Sequence, residues 1–326
     1  MIDHKDAISL GIDIGGSATK MSLLVDDEVV VLRGEYHYRP SLSQLADEIT
    51  RLLDMVLVKT DGARKRDIVA SGISLAGPVN SEGVLEQASN IPAMAGLNVR
   101  EWLPATLGMD LDPLALTDAM SAALCEHQCN PVQGRAIYLS MGTGLGGAVL
   151  DDGVPLVITR GTPGHFGHLD VSGGELNAPQ IPGSGRGSLE AYVGANMLRH
   201  AGVPIEQPEK AMGHPRMQKA VSALARGIRI LLSIYRPNYV FLMGGMSAVF
   251  EPALPMLRTM VADGLAPAAP DHWLIERAVA GPFAASVGAA SVAQAKVLRG
   301  RPANDGMTET EIRIHQASRR KAITSE

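Results

Sequence analysis

The sequence predicts an α/β protein of two lobes that repeat one plan, mixed sheets flanked by helices. Three observations carry this. The stretch "SLGIDIGGSATKMSLLV", Ser9 to Val25, joins two apolar runs through a turn of small residues, and "AIYLSMGTGLGGAVLDDGVPL", from Ala136, does the same again. Helical stripes and further short apolar runs follow each hairpin, the alternation expected of sheets covered by helices. At 326 residues with 46% hydrophobic side chains, the chain is long enough for two domains and has the apolar content to fill two cores.

Ile8 to Ile14, Lys20 to Val25 and Glu28 to Gly34 are apolar or alternating runs broken by Gly15-Gly16 and Asp26-Asp27, so three consecutive antiparallel strands are expected. Leu42, Leu45, Ile49, Leu52, Leu53 and Val56 then form a helical stripe, opened by a capping box of Ser41 and Gln44. Ile68 to Leu75 reads as a strand that ends in Ala76-Gly77-Pro78, and Asp118 to His127 as an alanine-rich helix that begins at an acid. A smaller N-terminal α/β domain is placed over residues 1–126. A larger one follows over 127–298, with a helix near 284–298 expected to pack back on the first. In it, Asp152-Gly153 is a hairpin turn, and Gly161 to Gly187 is a long Gly/Pro-rich loop. Met217, Val221, Leu224, Ile228 and Leu231 mark a helix ended by Pro237, before the strand "YVFLM" and the turn Gly244-Gly245. Residues 299–326 read as a charged extension, an appended helix or a tail.

Composition excludes several function classes. A net charge of -5 gives no general attraction to nucleic acid or anionic membranes, so neither is expected as a partner. Only Cys125 and Cys129 are present, which rules out a disulfide framework and fits a reducing compartment. The mixed-charge opening "MIDHKDAISL" is neither a signal nor a transit peptide, and no apolar run reaches membrane-spanning length; a cytoplasmic protein is expected.

Glycines in a strand-turn-strand hairpin let backbone N–H groups approach an anion, and Ser17 and Thr19 can add hydroxyl donors. Asp13 would repel bare phosphate but suits a metal-bound one, so the turn fits a magnesium nucleotide; a plain tight hairpin with glycines at positive φ explains it equally well. Gly142, Gly144 and Gly147 match G-x-G-x-x-G. That fingerprint must open a helix, whereas here the chain continues as a strand, and no Walker-type sequence occurs. Asp118 at a helix start would be held by free N–H groups with a lowered pKa, either as a base or simply as a cap.

Several motifs in series carry a resemblance. "GIDIGGSATK", "SLAGPV", "SNIPAMAG", "LTDAMSAALCEH", "MGTGLGGAVLDDG", "GHFGH", "GRGSLEAYVG" and "FLMGGMS" with "AASVGAA" resemble, in order from about Leu10 to Ala295, the motifs of the ROK family of sugar kinases and sugar-sensing repressors, within the actin-like, hexokinase-like ATPase superfamily with its ribonuclease H-like fold. The resemblance implies an ATP-dependent kinase that phosphorylates a glucose-like hexose or amino hexose, most simply at the 6-hydroxyl, with Asp118 as the proton acceptor. Asp13 would lie near Mg2+ carried by ATP. Gly15, Gly16, Ser17, Thr19, Lys20, Gly142, Thr143 and Gly144 would meet the phosphates, and Gly244 and Gly245 would border the adenosine. Gly77, Asn90, Thr117, Asp118, His165, His168 and Glu190 would surround the sugar. Relatives also imply a homodimer.

The chain departs from the family at three places. Ile181, Gly183 and Ser188 stand where zinc-binding members carry cysteines, so no structural zinc is expected. His165 replaces the glutamate of E-x-G-H, and Thr117 the asparagine before the catalytic acid, which leaves the hydroxyl pattern of the sugar open. A non-catalytic sugar sensor is the alternative, although such relatives carry an N-terminal helix-turn-helix and few residues precede the first strand here. A kinase of the same fold with another acceptor is a third reading.

Overall fold

The computed structural model describes residues 8–16, 18–25, 28–35, 39–60, 63–88, 90–158, 163–265 and 272–298. Ser17, the Asp26-Asp27 turn and the 299–326 extension lie outside the described residues. Among the described residues the chain forms two units, 8–131 with 153–158 and 280–298, and 132–152 with 163–279.

The first unit contains β1 (Ile8–Ile14), β2 (Ala18–Val25), β3 (Glu28–Glu35), α1 (Leu42–Lys59), β4 (Ile68–Leu75), α2 (Val99–Leu107), β5 (Leu114–Thr117) and α3 (Asp118–Cys129). The second is built from β6 (Arg135–Met141), β7 (Leu145–Asp151), α4 (Leu189–Val193), α5 (Ala195–His200), α6 (Pro208–Ala211), α7 (Pro215–Tyr235), β9 (Tyr239–Met243), α8 (Gly245–Phe250), α9 (Leu254–Asp263) and β10 (Leu274–Arg277). The two-residue strand β8 (Val154–Pro155) follows β7, and α10 (Ala284–Leu298) ends the described chain.

The sheet orders are β3-β2-β1-β4-β5 and β10-β9-β6-β7-β8. Antiparallel hairpins β1/β2 and β6/β7 are each extended by parallel strands, β4 and β5 in one, β9 and β10 in the other. The expected duplication is therefore repeated strand by strand.

In the first unit, α1 begins at the expected capping box, with the Ser41 hydroxyl accepting from the Gln44 amide. Leu45, Ile49, Leu52, Leu53 and Val56 are buried and share a core with Leu10, Ile12, Ile14, Met21 and Leu23. The other sheet face is lined by small residues because α10 lies against β1 and β4. A Cβ at Gly11 would overlap the Ser286 carbonyl, one at Gly72 the Ala289 carbonyl, and one at Gly288 the Ser121 carbonyl. Glycine is what allows sheet, α10 and α3 to approach this closely; the Ser22 and Ser286 hydroxyls bond at 2.6 Å across the same contact.

In the second unit, Tyr138 and Phe241 stack at 5.2 Å inside the sheet layer, and the expected stripe on α7 is buried throughout. That helix runs to Tyr235 and stops at Arg236, whose φ of 50° is left-handed, directly before Pro237.

Candidate functional site

Parallel pairing of β1 with β4 and of β4 with β5 carries Asp13, Ser74 and the end of β5 side by side, and α3 starts where β5 stops. Asp13 is buried; its Oδ1 accepts from Ser74 Oγ at 3.0 Å and its Oδ2 from Lys20 Nζ at 3.3 Å. Lys20 faces Asp13 because the two are cross-strand partners in the β1/β2 hairpin. Ser74 was not among the expected site residues. Its signal was a hydroxyl near the end of an otherwise apolar strand.

Asp118 is the first residue of α3. The cap is Thr117, whose hydroxyl accepts from the Met120 amide at 3.3 Å, so Asp118 is not the N-cap and Thr117 is engaged in capping. The Asp118 Oδ1 accepts from the Ala119 amide at 2.7 Å. The expectation of a lowered pKa is corrected: burial, and next the negative charge of Asp13, push the half-buried carboxyl up to about 6, against the smaller opposing pull of the Ala119 amide and the Lys20 charge. The first unit thus gathers Asp13, Lys20, Ser74 and Asp118 into one cluster of two acids and a cation.

The opening turn is not the positive-φ hairpin that its glycines allow. Neither Gly15 nor Gly16 is left-handed. Gly15 closes the turn by donating to the Ala18 carbonyl at 3.0 Å, and a Cβ on Gly16 would stand 3.0 Å from the Asn90 Cβ, so glycine at 16 is what lets Asn90 lie over the turn. Thr19 pairs with Ile14, one position out of step with Asp13 and Lys20. Its side chain therefore leaves the opposite sheet face, fully buried and with no partner for its hydroxyl, and does not join the Asp13 cluster. Gly77 is glycine for packing, since a Cβ there would overlap the Gln87 carbonyl.

In the second unit, the Gly142 amide donates to the Gly144 carbonyl at 2.9 Å and closes the β6/β7 turn, with Thr143 exposed at its tip. Glu190, the second residue of α4, accepts from the Leu145 amide through Oε2 at 2.8 Å; a Cβ on Gly144 would lie 2.7 Å from that oxygen. Glu190 is thus bound beneath the turn, a tie that the sequence does not reveal. Phe166 packs so closely on Gly147 that a Cβ would overlap its ring, and it meets Tyr235 at 5.6 Å. On that anchored turn His165 and His168 are both exposed, with rings stacked at 5.3 Å. Gly244 is left-handed, φ 79°, and a Cβ would overlap the Met141 carbonyl, while Gly245 opens α8 instead of continuing a turn.

Taken by itself, each unit carries residues of the chemistry that a magnesium nucleotide requires. A Cβ on Gly142 would meet nothing within 4 Å, and its φ is not left-handed, so neither packing nor backbone strain requires glycine there; the open backbone suits a phosphate approaching closely. The Asp13 carboxylate is a hard oxygen donor of the kind Mg2+ takes one or two at a time, its other ligands being phosphates and water. Among the described residues no group of three or more His, Cys, Asp or Glu side chains could hold a metal ion, and no helix is long and apolar enough to cross a membrane.

Comparison with known proteins follows the same lines. The family model described as ROK family matches residues 9–296. The glucokinase of Thermotoga maritima is 25% identical over 290 residues, covering 79% of this chain and 88% of that protein. The kanosamine kinase of Amycolatopsis mediterranei is 25% identical over 275 residues, covering 78% and 86%. The crystal structure of a ROK family glucokinase from Streptomyces griseus in complex with glucose and AMPPNP matches with a TM-score of 0.71 at 21% identity, covering 88% of this chain and 99% of that one. This last likeness shows the fold.

Proposed function

The chain belongs to the ROK family, and from that premise we propose that it is an ATP-dependent sugar kinase that transfers the γ-phosphoryl group to a hydroxyl, most simply the 6-hydroxyl, of a glucose-like hexose or amino hexose. The observation that carries the proposal is the Asp118 carboxyl, half-buried at the start of α3 with a pKa of about 6 and set beside Asp13 and Lys20. A base must be ionised at working pH and still hold a proton well enough to take one from an alcohol. A value near 6 meets both demands better than an ordinary aspartate.

Phosphoryl transfer of this kind depends on positioning and on charge stabilisation. Magnesium ATP, when bound, supplies the electrophilic phosphorus and part of the charge neutralisation. Asp118 orients the sugar hydroxyl and accepts its proton. Ser74 and Lys20 hold Asp13 in one orientation from both of its oxygens, the state in which a carboxylate best receives a metal-bound phosphate. Lys20 also offsets negative charge beside both acids. The Thr143 and Gly144 amides would donate to nucleotide phosphates, with Gly142, its amide closing the turn on the Gly144 carbonyl, leaving room for them, and Gly244 and Gly245 would border the adenosine. Asn90, His165, His168 and Glu190 supply donors and acceptors for ring hydroxyls. The relatives' names span more than one acceptor sugar, and His165 in place of a carboxylate supports a hydroxyl pattern other than that of plain glucose.

The test is ADP release over a panel of hexoses and amino hexoses with magnesium ATP, with the phosphorylated position read by NMR. Turnover of at least one sugar, abolished in Asp118→Asn, is expected. Tight sugar binding without ADP release from any panel member would instead favour the sensor reading.

A further inference from the structure

Residues 169–189 leave the second unit's core and return to it, with little apolar surface to hold them. The neck is closed by backbone bonds, Val171 N to Gly187 O at 2.9 Å and Leu189 N to Leu169 O at 2.8 Å. Between Ser172 and Arg186 the only buried side chain is Ala178, and Leu176 is 86% exposed. One methyl group contributes too little to fix such a segment. No cysteine occurs in it.

The middle of the excursion is folded on itself by Gly187 N to Pro179 O at 2.7 Å and by Arg186 donating to the Leu176 carbonyl at 3.2 Å, and one carboxylate ties it to the neighbouring helices. Glu175 Oε2 accepts from the Tyr192 hydroxyl at 2.8 Å, and Oε1 accepts from Lys219 Nζ at 2.8 Å. Tyr192 belongs to α4 and Lys219 to α7, so Glu175 ties the excursion to two helices at once. An exposed ion pair alone contributes little. The Tyr192 ring, however, is 1% exposed, and the Arg216 guanidinium covers it at 5.3 Å while donating to the Ala191 carbonyl at 3.2 Å. A hydroxyl on so buried a ring left without its acceptor is costly, which gives the Glu175 bond its leverage over α4. Two residues before Tyr192 on the same short helix stands Glu190, the acceptor for the Leu145 amide beneath the Gly142–Gly144 turn.

We propose that Glu175 is a positioning residue: it clamps the 169–189 excursion onto α4 and α7 and thereby sets Glu190 under the Gly142–Gly144 turn, in the manner of a crosslink made from a carboxylate, a phenol and an ammonium. The role assigned to that turn rests on the kinase reading above; the clamp itself does not.

The Leu145 amide reports on the clamp without any activity. In Glu175→Leu, which strips the acceptor from the Tyr192 hydroxyl, and in Tyr192→Phe its hydrogen exchange should accelerate by about tenfold or more, because the Glu190 bond that protects it loosens. The Kd for magnesium AMPPNP should weaken by about fivefold or more, with kcat at saturation within about twofold of the parent. Glu206→Gln, which removes an exposed pair with Arg199, should change neither. The proposal is overturned if the folded variants open residues 172–187 to exchange while Leu145 exchange and AMPPNP affinity stay at parent values. Should Tyr192→Phe fail to fold, unchanged Leu145 exchange in Glu175→Leu, which removes the acceptor from both Tyr192 and Lys219, is equally fatal. A parent protein that binds no AMPPNP would sink the kinase reading, while Leu145 exchange would still decide the clamp.

Discussion

Asp118→Asn removes a charge while keeping shape, and the structure sets two opposite consequences for it. The first is kinetic. A positioned base contributes about 10²–10⁴-fold, so kcat should fall by that order with the KM for sugar little changed. The parent's pH profile identifies the group. With a pKa of about 6, roughly nine-tenths of the Asp118 carboxyls are ionised at pH 7 and roughly one-tenth at pH 5, so kcat/KM should fall about tenfold between them. An ordinary aspartate would lose almost nothing over that interval. The second consequence is thermodynamic. The folded value lies above the 3.8 of an ordinary aspartate, so between about pH 4 and 6 the folded protein binds more protons than the unfolded one, and stability falls as pH rises. The difference of about 2 units would amount to about 3 kcal/mol for a group wholly withdrawn from water. Asp118 is only half-buried, and solvent screening reduces this to on the order of 1–2 kcal/mol. Asp118→Asn should therefore melt a few degrees higher than the parent at pH 7.5, with the gain vanishing below about pH 4. Steady-state ADP release and scanning calorimetry across pH 4–8 measure both. An acidic limb near pH 4, or an Asn variant that is less stable and nearly fully active, would refute the assignment of Asp118 as a half-buried base of raised pKa.

Three further substitutions probe the surroundings. Gly11→Ala places a methyl against the Ser286 carbonyl and 2.8 Å from the Ala290 Cβ, so α10 must shift off β1; a loss of about 1–3 kcal/mol in urea unfolding is expected, and a neutral result would contradict the packing described. Gly142→Ala meets no atom and no backbone strain, so the melting temperature should hold while the KM for ATP rises several-fold; an unchanged KM argues that no phosphate approaches this turn. His165→Glu should reorder the panel of sugars by about tenfold in relative kcat/KM and leave the KM for ATP within about twofold, since the exposed His165/His168 pair lies on the anchored Phe166 turn; an unaltered ranking removes His165 from sugar recognition.

Local patterns were legible where one element buries one face. The stripe of α1 and its Ser41 cap and the two glycine hairpins can be read from periodicities of 3.6 and 2 and from their turn residues, because each depends only on which residues lie within a few positions of one another; α10, buried on every side from Ala284 to Gln294, shows its small residues in the sequence but no stripe. What periodicity does not carry is the pairing of strands distant in sequence. Ser74 reaches Asp13 across 61 positions only because β4 lies parallel to β1 in that register, and nothing within "IVASGISL" signals the register. The same limit applies to Thr19, whose hydroxyl looks suited to a phosphate turn until the pairing with Ile14 sends it to the buried face. Asp118 shows the limit as a sign error. From sequence alone only the helix start is visible, and free amides there favour the anion, so the pKa is expected to fall. Burial and the charge of Asp13 both act in the other direction, and both come from tertiary structure, the second from a residue 105 positions earlier in the chain. Amide bonding and the Lys20 charge remain as the smaller, opposing effects. The carboxyl is therefore less acidic than its local sequence implies, and that deviation is what would suit it to the role of base proposed for it.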